Sequence, residues 1–302
     1  MEDFFYRYNS QTVVRAQGED AEDYLQSQWT IDVRKIKTGQ IRFGLRLSSK
    51  GKILAGSYIA RMGEEEFLLI TQKTPPSELI KMMEENVVAD EVEFSDESEK
   101  WEFFCLRLAN SSKRPFNPDL SSLGNREYLN SENGICWLDE CMPERFYSAL
   151  LKKGSCTPNT FSEGLEQISE QRFDILRIQS GNFSIPDEIG SEDLPQEAGL
   201  EKKMVDFNKG CYLGQEVMAR LHSMGQVQKR VLGVRLECDS PISTNLPIPV
   251  VLDDKQVGVL KSLVKHENSW MGVAKIHLKA KEQLIENGLG LEEPTLGRIF
   301  ML

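Results

Sequence analysis

The residues from Lys209 to Arg220, KGCYLGQEVMAR, have types and spacing that could do chemistry. Their first eight positions hold a lysine, two glycines, a cysteine, a tyrosine, a glutamine and a glutamate, and protein cores are not built from such residues. From Gln215 onward apolar residues recur at helical spacing, so Cys211 falls just before a helix amino terminus and beside Lys209. Both features favour a thiolate, which makes a reactive or redox-sensitive thiol one interpretation. The other is a small buried hydrophobe, because free cysteine is among the most buried residue types. The flanking glycines indicate backbone conformations or close approaches that a side chain would block.

A nucleophilic enzyme of the Cys/His type needs a histidine base beside the thiol. The chain has three histidines, and His222 lies about three turns along the same predicted helix, out of reach of Cys211. The six cysteines include no CxxC pair, and no two histidines have the spacing of metal ligands. We therefore expect no thiol protease, no metal site and no disulfide framework.

The composition describes an acidic chain of 302 residues, with 36 Lys and Arg against 47 Asp and Glu and a net charge of −11. No apolar stretch approaches the length of a membrane span, so we expect no membrane partner. The amino terminus, MEDFFYRYNS, has neither a basic region leading into an apolar one nor an Arg-rich character, and we expect a cytoplasmic protein. Because basic and aromatic residues are not interleaved, direct nucleic-acid binding is not expected.

The positive charge is concentrated in two zones. Residues 33–52 carry seven bases and no acid, and residues 200–235 carry seven bases and three acids. These zones either converge on one anionic ligand or are solvated independently. Within the first, Arg42 and Arg46 share one face of a predicted strand, where they either anchor an anion or decorate an exposed sheet face.

The apolar patterns predict three parts. The first has a helix over 18–29, strands over 41–47, 53–60 and 67–71, and a helix opened by Pro75 and Pro76. The second has a strand over 102–108, a long polar connection over 109–133, a strand over 134–138, a helix over 143–152 and a helix over 162–180 that ends at Gly181. From residue 230 short β-rich runs predict a small barrel or sandwich. We therefore predict an α+β protein with domains at 1–108, 109–228 and 229–302.

KGCYLGQE, followed by VMAR and GQVQKRVLG, resembles the signature of the YgfZ family of folate-binding proteins, relatives of the aminomethyltransferase of the glycine cleavage system. The resemblance extends to GEDAEDYLQSQWTIDV near the amino terminus and to RIQSGNFSIPDEIGSEDLPQEAGL in the middle of the chain. VGVLKS and MGVAKIHL resemble the carboxy-terminal barrel strands of the family. The stretch from residue 109 to 156 resembles it least.

The resemblance implies a three-domain ring of two α+β domains and a small carboxy-terminal β-barrel. It implies tetrahydrofolate, or a one-carbon derivative, in the central opening, and a role in making or repairing iron–sulfur clusters in client enzymes, including tRNA-modifying ones. We expect a monomer. The functional thiol would be Cys211 with Lys209 as its neighbour. The residues expected to bind folate are Tyr212, Gly214, Gln215, Glu216, Arg177, Glu188 and Arg220.

One departure separates this chain from the aminomethyltransferases. They carry a GGVIDD run whose first aspartate helps activate the folate, whereas residues 50–55 here read KGKILA, with Leu54 and Ala55 in place of the acids. Neither side chain can accept a proton, so classical aminomethyl transfer is disfavoured. Asp32 survives, and we expect it to orient structure. Two other functions stay open: a one-carbon transferase that uses another acid, such as Glu188 or Glu216, and a protein- or tRNA-binding module.

Overall fold

The computed structural model describes residues 3–108, 123–124, 126–143, 145–155, 165–238, 245–267, 269–292 and 296–302. The strands, numbered along the chain, are β1 (Phe4–Arg7), β2 (Thr12–Gln17), β3 (Ile41–Leu47), β4 (Ile53–Arg61), β5 (Glu66–Thr71), β6 (Glu93–Asp96), β7 (Trp101–Arg107), β8 (Tyr128–Ser131), β9 (Gly134–Leu138), β10 (Phe146–Lys152), β11 (Glu166–Gln167), β12 (Lys229–Glu237), β13 (Ile248–Leu252), β14 (Lys255–His266), β15 (Ser269–His277), β16 (Leu289–Leu291) and β17 (Arg298–Met301). The α-helices are α1 (Ala21–Gln28), α2 (Pro76–Glu84), α3 (Glu170–Gln179), α4 (Pro195–Ala198), α5 (Glu201–Met204), α6 (Gln215–Met224) and α7 (Lys281–Glu286).

The first sheet is antiparallel, with its five strands in the order β3-β4-β5-β2-β6. One face packs against α1 and α2, where Leu25 of α1 and Leu79 and Met83 of α2 are buried, as the helical spacing after Pro75 predicts. The other face packs against the second sheet, so Tyr58 of the first sheet shares a core with Trp137 of the second. The first sheet is therefore covered on both sides.

The second sheet has six strands in the order β11-β1-β7-β10-β9-β8. Two of them, β1 and β7, come from the first 108 residues of the chain. The predicted boundary at residue 108 thus falls directly after a strand of this sheet. The division into domains at 108 and 228 stays a prediction.

Two sequence predictions for the second sheet are wrong. Residues 143–152 do not form a helix, because residues 146–152 form β10, a strand paired with β7 on one side and β9 on the other. Most of its residues are buried, and such a continuous apolar run cannot be told from a buried helix by periodicity alone. The predicted polar connection over 109–133 contains β8, which pairs with β9, while residues 109–122 and 125 lie outside the described residues.

The helix predicted over 162–180 is shorter in the structure. It is α3, and Ser169 caps it by accepting the N–H of Arg172 (3.3 Å). Gly181 follows its end with φ +73°, as predicted, in a conformation that favours glycine. Residues 162–164 lie outside the described part of the chain.

The carboxy-terminal strands close into a barrel in the order β12-β15-β14-β13-β16-β17, which confirms the predicted barrel. The α+β fold class is confirmed with it. Among the described residues, no helix has the length and apolar character needed to cross a membrane.

Candidate functional site

The segment 209–216, which carries KGCYLGQE, runs from the loop after α5 into the first turn of α6 and packs against the end of α1. The N–H of Leu213 donates to the carbonyl of Ser27 (3.1 Å), and just before the segment the N–H of Asp206 donates to the carbonyl of Thr30 (2.9 Å). Partners far apart in sequence thus fix this segment. Its conformation depends on α1.

The side chain of Lys209 is buried and completes this contact. Its Nζ donates to the carbonyl oxygens of Gln26 (2.6 Å), Trp29 (2.5 Å) and Ile31 (2.7 Å). An ammonium group has three donors, so none remains for the thiol of Cys211. Lys209 satisfies carbonyls at the end of α1 and has no direct hydrogen bond to offer Cys211.

Burial lowers the pKa of Lys209 to about 7, although the carboxylates of Asp32 and Asp206 act against this shift. The carboxylate of Asp32 accepts a hydrogen bond from the side chain of Gln26 (3.1 Å) and forms an ion pair with Lys35 (2.8 Å). These contacts give Asp32 the orienting role expected from the sequence.

Cys211 is exposed. Of the other described cysteines, two are buried and two are half-buried: Cys105 and Cys136, and Cys141 and Cys238. Cys156 lies outside the described residues. The interpretation of Cys211 as a buried hydrophobe is therefore wrong, and its sulfur is open to a reagent or a partner.

Tyr212 is buried next to Lys209, whose ammonium lies 5.1 Å from the centre of the ring. The Tyr212 hydroxyl has no hydrogen-bond partner in the described part of the chain. Gly214 has φ +83°, and a Cβ there would lie 2.6 Å from the carbonyl oxygen of Ser48. Gly210 has no positive φ and faces open space. The predicted need for glycine thus holds at Gly214 and not at Gly210.

The first turns of α6 follow. Gln215 is half-buried, whereas Glu216 and Arg220 are exposed and border a shallow groove beside Leu194 and Leu221. These residues do not line the cavity described next. The predicted folate ligands on α6 therefore stand apart from it.

The basic face of β3 is buried, so of the two alternatives left open for Arg42 and Arg46 the exposed sheet face is wrong. Arg42 is 5% exposed and forms an ion pair with Asp206 (2.6 Å). Arg46 is 2% exposed and donates to the side chain of Gln28 and to the carbonyl of Met82 (2.6 Å). Alternation identifies which residues share a face but not what covers that face.

A cavity of about 100 Å³ opens where β3, β4 and β5 meet β1 and α3. Much of its wall is aromatic, with Tyr6, Tyr8, Tyr58, Phe173 and Phe183. Apolar walls with a few polar groups are typical of small-molecule sites. We call this space the aromatic cavity.

Two tyrosines of this wall are held in place by other rings. Tyr6 stacks on Phe173 with ring centres 4.3 Å apart, and Tyr8 stacks on Phe103 at 4.6 Å. Neither hydroxyl forms a hydrogen bond with a described residue. Burial raises the pKa of Tyr6 and of Tyr8, so both hydroxyls stay protonated and can donate as well as accept.

The hydroxyl of Tyr58, by contrast, already has a hydrogen-bond partner within the protein. Its hydroxyl donates to the carboxylate of Asp139 (2.5 Å), which also accepts from the hydroxyl of Ser148 (2.7 Å) and the N–H of Cys141 (2.9 Å). Burial raises the pKa of Asp139 and holds the pKa of the Cys141 thiol well above its usual range. Cys141 therefore lines the cavity as a neutral thiol.

Arg177 lies on the cavity wall, and Glu188 stands behind it. The guanidinium pairs with both carboxylate oxygens of Glu188 (2.5 and 3.1 Å) and with Asp174 (2.6 Å). Glu188 also accepts from the N–H of Ser184 (2.7 Å) and the hydroxyl of Ser262 (2.5 Å). Both oxygens of Glu188 are occupied, so it positions Arg177 and offers no free acceptor. Of the nine predicted site residues, only Arg177 lines the aromatic cavity.

Sequence reasoning missed Tyr6 and Tyr8. The signal was present, because Phe4, Tyr6 and Tyr8 alternate along MEDFFYRYNS and must share one face of a strand. What that face meets is decided by α3, more than 150 residues further on. In the described part of the chain, no three His, Cys, Asp or Glu side chains are grouped closely enough to hold a metal ion.

Comparison with known proteins gives a family match and several relatives. The model of the GCVT N-terminal domain family matches residues 8–111. An iron–sulfur cluster assembly factor IBA57 homolog, named as mitochondrial, from Coccidioides immitis is 39% identical over 97 residues, 30% of this chain and 23% of that protein. The tRNA-modifying protein YgfZ of Blochmanniella pennsylvanica is 24% identical over 279 residues, 87% of this chain and 83% of that protein. The predicted resemblance to the YgfZ family is confirmed.

The fold comparison agrees. The crystal structure of the glycine cleavage system aminomethyltransferase T from Bartonella henselae matches with a TM-score of 0.79 over 99% of this chain and 84% of that one, at 14% identity. The chain therefore has the aminomethyltransferase fold, including the closed barrel at its carboxyl end.

Proposed function

We propose that this chain binds tetrahydrofolate, or a one-carbon derivative, in the aromatic cavity and serves the synthesis or repair of iron–sulfur clusters in client enzymes, including tRNA-modifying ones. The observation that carries the proposal is the wall of stacked rings on which the hydroxyls of Tyr6 and Tyr8 have no partner among the described residues. Uncommitted polar groups on an apolar wall suit a flat ligand with a polar edge.

The cavity offers different groups to the pterin end and to the glutamate end of a folate. A pterin is planar with paired donors and acceptors, so the rings of Tyr6 and Tyr8 offer apolar contact and their hydroxyls offer hydrogen bonds. The glutamate end is anionic, and Arg177 cannot serve it fully because Glu188 and Asp174 hold its guanidinium. Lys73 borders the cavity with a side chain that is 42% exposed, and its ammonium already lies 3.9 Å from Glu170 and 3.8 Å from Asp187. A folate carboxylate would share this positive charge with those two acids.

The chemistry of one-carbon transfer is not supported by the cavity wall. Leu54 lies on β4 at a bulge, where Arg46 pairs with Ala55 and Leu47 pairs with Ile53, and it is not among the residues that line the cavity. The first aspartate of the GGVIDD run corresponds to this position. A folate supplies a carbon unit when bound, but an aliphatic side chain there can neither take up nor release a proton.

The accessory role is supported by the relatives named as an iron–sulfur cluster assembly factor and as a tRNA-modifying protein. We propose Cys211 as the functional thiol, because it is exposed and lies in a segment separate from the aromatic cavity. A client protein could reach it while a folate is bound. We propose a cytoplasmic monomer that reaches its clients by diffusion.

The alternative is a one-carbon transferase, which the similarity to an aminomethyltransferase fold favours. The two acids considered for it are poorly placed, since the oxygens of Glu188 are occupied and Glu216 is outside the cavity. Incubation with 5,10-methylene-tetrahydrofolate separates the two functions when ammonium and a dithiol are present to take up the carbon unit as an aminomethyl thioether, with a protein-free mixture as the control. An accessory protein binds the compound and returns it unchanged, whereas time-dependent loss of the methylene group identifies a transferase.

The role of the thiol is tested in cells that lack this chain. We expect reduced activity of cluster-dependent enzymes, restored by the wild type and by Cys238→Ala but not by Cys211→Ala. Cys238 is a half-buried cysteine of the barrel region and serves as the matched control. Full restoration by Cys211→Ala would remove the thiol from the proposed function.

A further inference from the structure

A groove on the barrel carries a concentration of positive charge that the function proposed above does not use. It lies at one end of β12, β14 and β15 and has a volume of about 500 Å³. Four lysines and one histidine line it, and no Asp or Glu does. On a chain with a net charge of −11, such a groove is a local exception. We call it the lysine groove.

Three of the four lysines are available to a ligand. Lys275 is not, because its ammonium is buried against Glu197 (2.8 Å) and Asp193 (3.0 Å). Lys229, Lys255 and Lys279 are exposed, and none forms an ion pair with a described residue. They border the groove from β12, from β14 and from the turn after β15 respectively. The positive charge is thus spread around the rim and suits several separate anionic groups.

The floor of the groove is apolar. Leu252, Val257 and Val259 line it, and all three are half-buried. A ligand that carried only charged groups would leave these apolar side chains exposed to water. The occupant should therefore place an apolar group between its anionic groups.

The residue types of the groove distinguish between kinds of anionic partner. No Phe, Tyr or Trp lines it, so the ring of His277 is the one surface there on which a nucleobase could stack, and no arginine lines it to bind a phosphate with two parallel bonds. The barrel is closed, so its strands have no free edge to pair with an added strand. Recognition must go through side chains.

We propose that the lysine groove docks an acidic segment of a partner protein in which carboxylates flank an apolar side chain. Lys229, Lys255 and Lys279 pair with the carboxylates, and the apolar side chain covers the floor formed by Leu252, Val257 and Val259. The net negative charge of the chain repels anions at long range, so only the nearby lysines attract the acidic segment. Added salt screens this attraction, and binding weakens as the salt concentration rises. Folate binding and the Cys211 thiol take no part in it.

The test is a fluorescence anisotropy titration of the full chain, free of folate, with a labelled peptide of alternating Glu and Leu residues. A second peptide replaces Glu by Gln, and a single-stranded RNA of equal charge serves as the nucleic-acid probe. The triple variant Lys229→Gln, Lys255→Gln, Lys279→Gln is compared with Lys37→Gln, Lys81→Gln, Lys152→Gln. The second set removes the same charge from exposed lysines elsewhere.

We expect saturable binding of the acidic peptide that the groove variant weakens about tenfold and the control variant leaves unchanged. The Gln peptide should bind at least about tenfold more weakly than the Glu peptide. The proposal is overturned if the acidic peptide does not bind or if both triple variants bind it equally well. It is also overturned if the groove variant loses RNA binding while peptide binding stays intact, since the groove would then serve nucleic acid. Circular dichroism of both variants checks that the fold is kept.

Discussion

Lys209 and Cys211 are two positions apart, yet the fold gives them opposite environments. Lys209 is buried with all three donors on carbonyls at the end of α1, while Cys211 is exposed. The lysine and the cysteine of KGCYLGQE therefore have different roles. Lys209 holds the segment in place, and Cys211 is the residue it presents.

Native alkylation with iodoacetamide, followed by peptide mass spectrometry, tests this contrast for the thiol. We expect Cys211 to be modified first, while Cys105 and Cys136 react only after unfolding because they are buried. The two buried cysteines serve as internal controls. Labelling of Cys211 no faster than theirs would mean that the segment is closed over the thiol.

Lys209→Met tests the structural role of the lysine. We expect it to lower the free energy of unfolding by about 1–3 kcal/mol, because carbonyls at the end of α1 lose their partner. Burial lowers the pKa of Lys209 from the ordinary lysine value of 10.5 to about 7 in the folded chain. The unfolded chain therefore binds more protons between these values, and the wild type gains stability as pH rises through that window.

The variant lacks this group, so the difference in the free energy of unfolding between wild type and Lys209→Met should increase from pH 7 to pH 9. Urea denaturation at several pH values measures it, and all other titrating groups cancel in the difference. A difference that stays constant with pH would show that Lys209 does not titrate in this range. Lys202→Met, at an exposed lysine, should be neutral.

At the scale of elements, the start of α6 is fixed by close contact with the turn between β3 and β4. Gly214 has φ +83° and its Cα faces the carbonyl of Ser48, while Gly51 of that turn lies against Val217 of α6. No side chain fits between these two backbones. The turn and the helix therefore hold each other in register.

Gly214→Ala is expected to lower the free energy of unfolding by about 2 kcal/mol, because a Cβ would be strained by the positive φ and would press on Ser48. Gly210→Ala is the matched control in the same segment, where a Cβ meets nothing within 4 Å. Its effect should be small. Equal losses for the two variants in urea denaturation would contradict the close contact.

Local patterns in the sequence predicted these elements well and their surroundings poorly. The strand over 41–47, the helix after Pro75 and the stop at Gly181 depend on spacing and on backbone preferences that a short window contains. The strand β10 and the burial of Arg42 and Arg46 depend on what packs against them from distant parts of the chain. The same limit applies to the site, where KGCYLGQE marked an exposed thiol but gave no sign of the aromatic cavity.

At the scale of the whole molecule, a buried charge network joins the barrel to the middle of the chain. Lys261 of β14 pairs with Asp193 (2.5 Å), and Lys275 of β15 pairs with Asp193 (3.0 Å) and Glu197 (2.8 Å). All four side chains are largely buried. Removing one partner leaves charge without compensation inside the protein.

We expect Lys275→Met to lower the free energy of unfolding by about 3 kcal/mol or more, because Glu197 and Asp193 lose a buried partner. Lys265→Met, at an exposed lysine of the same barrel, should change it by less than about 0.5 kcal/mol. Thermal and urea denaturation measure both variants. A neutral Lys275→Met would mean that the barrel is held by apolar packing alone.

Calorimetric titration with tetrahydrofolate tests whether the aromatic cavity is the folate site. The wild type is compared with the double variant Tyr6→Phe, Tyr8→Phe, which keeps both rings and loses both hydroxyls, and with Tyr147→Phe, which lies outside the cavity. We predict saturable binding to the wild type and to Tyr147→Phe, and affinity about tenfold lower in the double variant, since each hydrogen bond contributes about 0.5–1.5 kcal/mol. Absence of binding, or equal affinity in all three proteins, would contradict the assignment of the folate to this cavity.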